Sequence, residues 1–280
     1  MYVTMGNLFY FLFILLGLMS TVGLLFLLNK KGDQTRHKVF LVLLFTAFSL
    51  HFLKLFFEPY ASTFPISIRK STFENVCAVS TLIFPFIYLS KNKILKDYML
   101  IFGIIGGLAA FIYPTEALPA IIEDVTVNKY VFSFDVLRFY YAHFVIFSVP
   151  FMMGYYRVHE VPYRRIFLVP MTFIFILCVI FINEFILLKL GFVEPEIFFD
   201  VNIRNSSLIF GIPDNFKGIG ILLDIFVFNF LKIHPITHEP FYWPVMWIIV
   251  PVFIYVIILG FIITFSFRIL KHYQIQSNER

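Results

Sequence analysis

The chain has 280 residues, of which 60% are hydrophobic and only 14% are charged. A soluble domain carries about 25% charged residues, so this composition excludes an ordinary soluble protein and indicates one that lies in a lipid bilayer. The net charge of +5 at pH 7 does not indicate nucleic-acid binding, because the lysines and arginines flank long apolar runs. We therefore expect an integral membrane protein with no nucleic-acid partner.

Seven apolar runs predict membrane-spanning helices. The first run has about the 20 residues that a spanning helix needs, and its cations follow it, which favours a retained helix over a cleaved signal peptide. The predicted spans are 8–28, 39–57, 73–89, 98–113, 136–156, 166–188 and 243–267. The sequence thus predicts an all-α, polytopic membrane protein that forms a single integral membrane domain over residues 1–280.

The distribution of lysine and arginine predicts the orientation. Segments 29–38, 90–97, 157–165 and 266–280 hold 13 of the 22 Lys and Arg residues. Loops rich in these residues stay on the cytoplasmic side. We therefore expect the N-terminus outside and the C-terminus inside a cell membrane, which we assign to the bacterial cytoplasmic membrane.

The longest stretch between spans is the predicted outer loop 189–242. Its apolar part, 219–231, is too short to span comfortably, so we interpret it as an interfacial or re-entrant helix. Asn205-Ser206-Ser207 matches the glycosylation acceptor pattern, which is a short motif of low specificity.

Polar residues inside the spans concentrate near the predicted outer ends. At a rise of 1.5 Å per residue, His51, Cys77, His143 and Asn183 all lie roughly 6–10 Å below the outer interface. Polar groups at membrane depth are costly and are therefore candidates for function. The ester bonds of phospholipids lie at a similar depth, so this layer favours lipid chemistry over ion conduction.

The second span carries His51, Lys54 and Glu58 at a spacing that places them on one helical face. Lys54 and Glu58 can form an ion pair across one turn. A structural interpretation is a buried ion pair beside a packing histidine. The functional alternative is that Lys54 binds a lipid phosphate and His51 donates a hydrogen bond to the reacting group.

Cys77 is predicted near the N-terminus of the third span, where the helix dipole favours an anion such as a thiolate. A base such as His143 would activate it further. Free cysteines in apolar interiors are nevertheless commonly inert, and a single histidine in a helix is commonly a packing residue. Arg138 either extends towards the interface or binds substrate, and Asn183 either orients a base or caps its helix.

These residues carry a resemblance to a known family. The chain resembles the YwaF-type bacterial integral membrane proteins, which are related to a eukaryotic transmembrane cysteine acyltransferase that remodels ether phospholipids, and more distantly to androgen-dependent membrane hydrolases of fatty-acid esters. Family members carry Leu-Pro-Leu-His-Leu-Cys where this chain has Thr-Phe-Glu-Asn-Val-Cys, so the cysteine is retained. The resembling parts are 72–80, 103–107 with 113–114, Tyr140-Tyr141-Ala142-His143, Asn183 and 240–244.

The resemblance implies Cys77 as the acyl acceptor and His143 as the general base. We expect a lipid acyltransferase or acyl-ester hydrolase that acts on a membrane phospholipid or lysolipid in the outer leaflet. The predicted substrate-binding residues are His51, Lys54, Asn75, Arg138, Tyr141 and Asn183. The alternative is a non-enzymatic binder or transporter of a lipid or small anion. The motifs indicate no metal and no cofactor, and the oligomeric state stays open.

Overall fold

The computed structural model describes residues 1–114, 117–118, 120–122, 125–127, 130–202 and 207–278, so Asn205 and Ser206 of the glycosylation pattern lie outside the described residues. The regular secondary structure of the described residues is helical, apart from two short antiparallel strands, β1 (Ala120–Ile122) and β2 (Val125–Val127). The α-helices are α1 (Leu8–Asn29), α2 (Asp33–Leu53), α3 (Val76–Leu89), α4 (Lys93–Ile112), α5 (Phe134–Tyr155), α6 (Tyr163–Ile166), α7 (Leu168–Lys189), α8 (Lys217–Asp224) and α9 (Ile249–Asn278).

Six helical segments of the described chain are long and apolar enough to cross a membrane. The other predicted span corresponds to α3, which has 14 residues and contains Pro85. Its length is about 21 Å at 1.5 Å per residue, which is less than the hydrocarbon thickness of about 30 Å. The count of seven spans therefore stays a prediction. The orientation of the chain in the membrane also stays a prediction. The six segments are Leu8–Asn29, Asp33–Phe56, Lys93–Ile112, Phe134–Tyr155, Tyr163–Lys189 and Met246–His272.

Side-chain caps set the start of three spanning helices. Asn7 accepts a hydrogen bond from the backbone amide of Tyr10, and Asn92 accepts from two amides of the first turn of α4. Ser133 caps α5 in the same way. Such caps satisfy backbone donors that have no partner within the helix. The cap at Asn92 explains why α4 includes residues 93–97, three of which are charged and which the hydropathy pattern placed outside the span.

The described chain divides into two compact units. The first unit comprises Met1–Ser71, Ser80–Glu160 and Phe267–Arg280, and the second comprises Thr72–Val79 and Val161–Ser266. The single integral membrane domain over residues 1–280 remains a prediction.

In the first unit, α5 packs against α1, α2 and α4 and has the most extensive buried surface. Two glycines let α4 approach α5 closely. A Cβ atom on Gly103 would lie 2.4 Å from Pro150, and one on Gly107 would lie 2.6 Å from Phe147. These glycines have the packing role that small residues have in membrane helices. Gly106 does not share this role, because a Cβ atom there would meet nothing within 4 Å.

In the second unit, the chain between α7 and α9 is held by backbone and aromatic contacts. The indole of the buried Trp247 donates to the carbonyl oxygens of Leu208 and Ile209, and the backbone amide of Val245 donates to Ile209. The rings of Tyr163 and Phe261 stack at 5.5 Å. The entry to α9 is therefore fixed before the spanning helix begins.

Three details of the helices differ from the sequence expectation. The helix of the second span ends at Leu53, and a 3-10 turn continues to Phe56, so Glu58 does not share a helical face with Lys54. Glu58 precedes a proline, which disfavours helical backbone. The third helix begins at Val76 instead of 73. The apolar piece 219–231 is not one helix, because α8 ends at Asp224 and a separate 3-10 turn follows at Asn229–Lys232.

Candidate functional site

Cys77 is the second residue of α3, one turn nearer the helix N-terminus than the hydropathy pattern predicts. The side-chain oxygen of Asn75 accepts a 2.9 Å hydrogen bond from the amide of Ala78. The amide of Val76 donates to the hydroxyl of Ser207 at 2.8 Å. Asn75 is therefore a helix cap, and the half-buried thiol lies in the first turn, where the helix dipole stabilises negative charge.

Asn183 lies on α7 and belongs to the same unit as Cys77. Its side-chain amide donates to the hydroxyl of Thr72 at 3.1 Å. This bond ties α7 to the segment that leads into the cysteine-bearing helix.

His143 is buried on α5, and its Nδ1 atom lies 2.8 Å from the backbone carbonyl oxygen of Phe139. A carbonyl oxygen only accepts, so Nδ1 carries the proton. In the neutral ring, Nε2 then holds the lone pair and is the basic nitrogen. The ring of Phe139 packs 4.1 Å from the imidazole, which fixes its orientation.

Arg138 does not extend towards solvent, as the sequence suggested it could. It is buried, and its guanidinium forms an ion pair of 2.8 Å with the buried carboxylate of Asp135, three residues earlier on α5. Sequence reasoning missed Asp135, although the spacing of three residues between opposite charges is a recognisable helical pair.

His51 and Lys54 are both buried at the C-terminal end of α2. The ammonium group of Lys54 lies 5.3 Å from the centre of the Tyr60 ring, a cation–π arrangement. The 3-10 turn that carries Lys54 packs against α5. Tyr141, on α5, is half-buried with its ring 6.2 Å from Phe144.

The predicted site residues are divided between the two units. Asn75, Cys77 and Asn183 belong to the second unit, with Thr72 and Ser207 as contacts that sequence reasoning missed. The first unit contains His51, Lys54, Arg138, Tyr141 and His143. The pairing of Cys77 with His143 stays a prediction.

A further buried hydrogen bond between polar side chains lies at the other end of the first unit. Nε2 of His159 lies 2.6 Å from a carboxylate oxygen of Asp97. Asp97 is in the second turn of α4, and His159 follows α5, so the pair fixes the α5–α6 connection to α4. Among the described residues, no group of three or more His, Cys, Asp or Glu side chains is arranged to hold a metal ion.

A family model described as the TMEM164 family matches residues 2–271, nearly the whole chain. It is a family of transmembrane proteins, in agreement with the six apolar helices. No curated protein and no solved structure matches the chain. The YwaF-type resemblance is not part of this finding and stays a prediction.

Proposed function

The chain belongs to the TMEM164 family of integral membrane proteins, and from that premise we propose that it is a lipid acyltransferase or acyl-ester hydrolase. Cys77 is the nucleophile and His143 the general base. The substrate is a membrane phospholipid or lysolipid, and the reaction takes place in the outer half of a cell membrane. The YwaF-type resemblance favours a bacterial cytoplasmic membrane as that membrane.

The observation that carries the proposal is the tautomer of His143. The bond from Nδ1 to the carbonyl of Phe139 leaves Nε2 as the proton acceptor, which is the state that a general base needs at neutral pH. The position of Cys77 in the first turn of a capped helix supports a thiolate in the same reaction.

The first step forms an acyl-enzyme. Nε2 of His143 takes the thiol proton, and the sulfur of Cys77 attacks the carbonyl carbon of the lipid ester. The bond between that carbon and the alcohol oxygen breaks, and the leaving alkoxide takes the proton back from His143. The products are a thioester on Cys77 and a lipid that has lost one acyl chain.

The second step releases the acyl group. A lysolipid hydroxyl, or water in a hydrolase, gives its proton to His143 and attacks the thioester carbonyl. The carbon–sulfur bond breaks, and the sulfur recovers the proton. Asn75 and Asn183 are the side chains we assign to charge stabilisation on the carbonyl oxygen, which is commonly the largest catalytic contribution.

We assign the buried residues His51, Lys54 and Arg138, together with the half-buried Tyr141, to lipid binding. The ion pair of Arg138 with Asp135 neutralises one of the two buried cations within its own helix. This weakens the alternative of a small-anion transporter, which would need cations available to its cargo.

Acyl transfer in reconstituted vesicles tests the proposal. The donor is a phosphatidylcholine with a labelled acyl chain, and the acceptor is an unlabelled lysolipid. We expect Cys77→Ala to abolish transfer and release, and the matched variant Cys178→Ala to retain them, because Cys178 lies within α7 and has no assigned role. Undiminished turnover in Cys77→Ala would end the proposal.

A further inference from the structure

Residues 217–232 form a segment here called the apolar limb. It consists of α8, a turn at 225–228 and the 3-10 turn Asn229–Lys232. The two arms are joined by an ion pair of 2.7 Å between Lys232 and the carboxylate of Asp224. Residues 225–228, which lie between the α-helix and the 3-10 turn, are here called the tip of the limb.

The limb exposes large apolar side chains on both arms and at its tip. Ile225 is 66% exposed and Phe228 is 56% exposed. In water this surface would be unfavourable by about 25 cal/mol for each Å² of apolar area. The exposed apolar residues of the limb are Ile221, Leu222, Ile225, Phe226, Phe228 and Phe230.

The C-terminal carbonyls of α8 all have hydrogen-bond partners. The amides of residues 225, 226 and 227 donate to the carbonyls of Ile221, Leu223 and Asp224. The carbonyl of Leu222 accepts from the hydroxyl of Tyr255 at 2.7 Å, and the ammonium of Lys232 also donates to the carbonyl of Asp224. In water, solvent can donate hydrogen bonds to the last carbonyls of a helix. In hydrocarbon no water is present, so each of these carbonyls needs a donor within the protein.

The contact with Tyr255 also shows how far along α9 the limb lies. Tyr255 lies six residues after the start of α9, about 9 Å along the axis of a spanning helix. Its ring also packs against Phe226 at 5.8 Å. Further along α9, Ile258 and Ile262 are exposed and apolar. The limb surface is therefore continuous with the lipid-facing surface of α9.

The next part of the chain carries more polar side chains, beside the exposed Ile233 and Ile236. In the hairpin 233–240, the amide of His234 donates to the carbonyl of Glu239, and the amide of His238 donates to His234. Residues 235–240 are all exposed and include polar side chains. The first residue of α8, Lys217, also forms an exposed ion pair with Asp214. The segment thus has polar ends and an apolar tip.

From these observations we propose that the apolar limb is a re-entrant segment whose tip, 225–228, inserts among the phospholipid acyl chains of the leaflet in which α9 begins. The charges of Asp224 and Lys232, at the base of the limb, compensate each other in an ion pair. Burial, with a hydrogen bond to Asp224, raises the pKa of Tyr242 to about 12, so its hydroxyl stays protonated and donates to Asp224 at 3.0 Å. Paired charges of this kind are tolerated near hydrocarbon.

Spin labels at matched positions test the insertion. The full chain, with Cys77→Ser and Cys178→Ser, carries a nitroxide at Phe228→Cys or at Ile236→Cys and is reconstituted in phosphatidylcholine vesicles. Both positions are exposed, and Ile236 lies in the polar hairpin. We expect the label at 228 to collide with dissolved oxygen and to be shielded from a water-soluble nickel complex, with the reverse at 236. Equal access of the nickel complex to both labels would overturn the proposal.

A second measurement uses the unaltered protein. Vesicles contain a phosphatidylcholine with a photoactivatable diazirine near the end of one acyl chain, and the labelled chain is digested with trypsin after illumination. Lys217 and Lys232 bound a peptide, 218–232, that contains the tip. We expect lipid adducts on this peptide as well as on the peptide that contains α9. Adducts on α9 with none on 218–232 would also overturn the insertion.

Discussion

The hydroxyl of Tyr255 donates a 2.7 Å hydrogen bond to the backbone carbonyl of Leu222. This bond connects a membrane-spanning helix to the end of α8, 33 residues earlier in the chain. Since the other C-terminal carbonyls of α8 have backbone partners, the phenol completes the cap of this helix and holds the apolar limb against α9.

We predict that Tyr255→Phe loosens the limb and leaves the rest of the fold in place. Loss of one hydrogen bond costs about 1 kcal/mol, so the amides of 218–226 should exchange hydrogen several times faster. Hydrogen exchange followed by mass spectrometry checks this. Tyr156→Phe is the matched control, because Tyr156 donates an equally short bond, 2.7 Å, to the carbonyl of Leu25. Equal exchange of the limb in both variants would contradict the role of Tyr255.

The two neighbouring glycines of α4 should respond oppositely to alanine. A Cβ atom at Gly107 would lie 2.8 Å from the backbone nitrogen of Phe147, whereas one at Gly106 would meet nothing. Alanine favours helix by about 1 kcal/mol over glycine. We expect Gly106→Ala to keep or raise the unfolding temperature in detergent and Gly107→Ala to lower it. A lower temperature for Gly106→Ala alone would contradict the packing of α4 on α5.

Removing one partner of the buried ion pair of Asp135 with Arg138 should lower the free energy of unfolding. Asp135→Asn removes the anion and leaves the buried guanidinium, at a cost on the order of 3 kcal/mol. The double variant Asp135→Leu, Arg138→Met should lose less, because no charge stays buried. Denaturant unfolding in mixed micelles measures both.

The matched control for that pair is the ion pair of Asp214 with Lys217. It has a similar length, 2.7 Å, but both side chains are exposed. Exposed pairs contribute little, so Asp214→Asn should leave the unfolding curve unchanged. Equal losses for Asp135→Asn and Asp214→Asn would contradict the burial of Asp135.

His143→Asn separates structure from catalysis. The asparagine amide can replace Nδ1 as donor to the carbonyl of Phe139, but nothing replaces Nε2 as base. We expect the unfolding temperature to change little and acyl transfer to fall on the order of 10²- to 10⁴-fold, the usual contribution of a general base. Retained transfer would show that the histidine has only a packing role.

The sequence predicted the membrane-spanning helices well, because a span depends mainly on a run of apolar residues, and such a run is visible in the chain. The first span, for example, was predicted at 8–28 and is Leu8–Asn29. The boundaries that failed depend on single polar contacts. The start of α3 follows from the cap by Asn75, and the end of α8 coincides with the ion pair of Asp224 with Lys232.

The contacts of the candidate site were less predictable. The bond from Asn183 to Thr72 joins residues 111 apart, and the bond from Val76 to Ser207 joins residues 131 apart. Hydropathy and spacing carry no information about such distant pairs. Asp135 was different, because its spacing to Arg138 is visible in the sequence, but it lies one residue outside the predicted span 136–156.

The most direct test of the central claim is the detection of an acyl-thioester on the protein. Vesicles that contain the protein and a phosphatidylcholine with labelled acyl chains are quenched in acid, and the tryptic peptides are analysed by mass spectrometry. We predict a hydroxylamine-sensitive acyl group on Cys77 that is present in Cys178→Ala, absent in Cys77→Ala and strongly reduced in His143→Asn. Acyl transfer that continues with no acyl group on Cys77 would contradict the account.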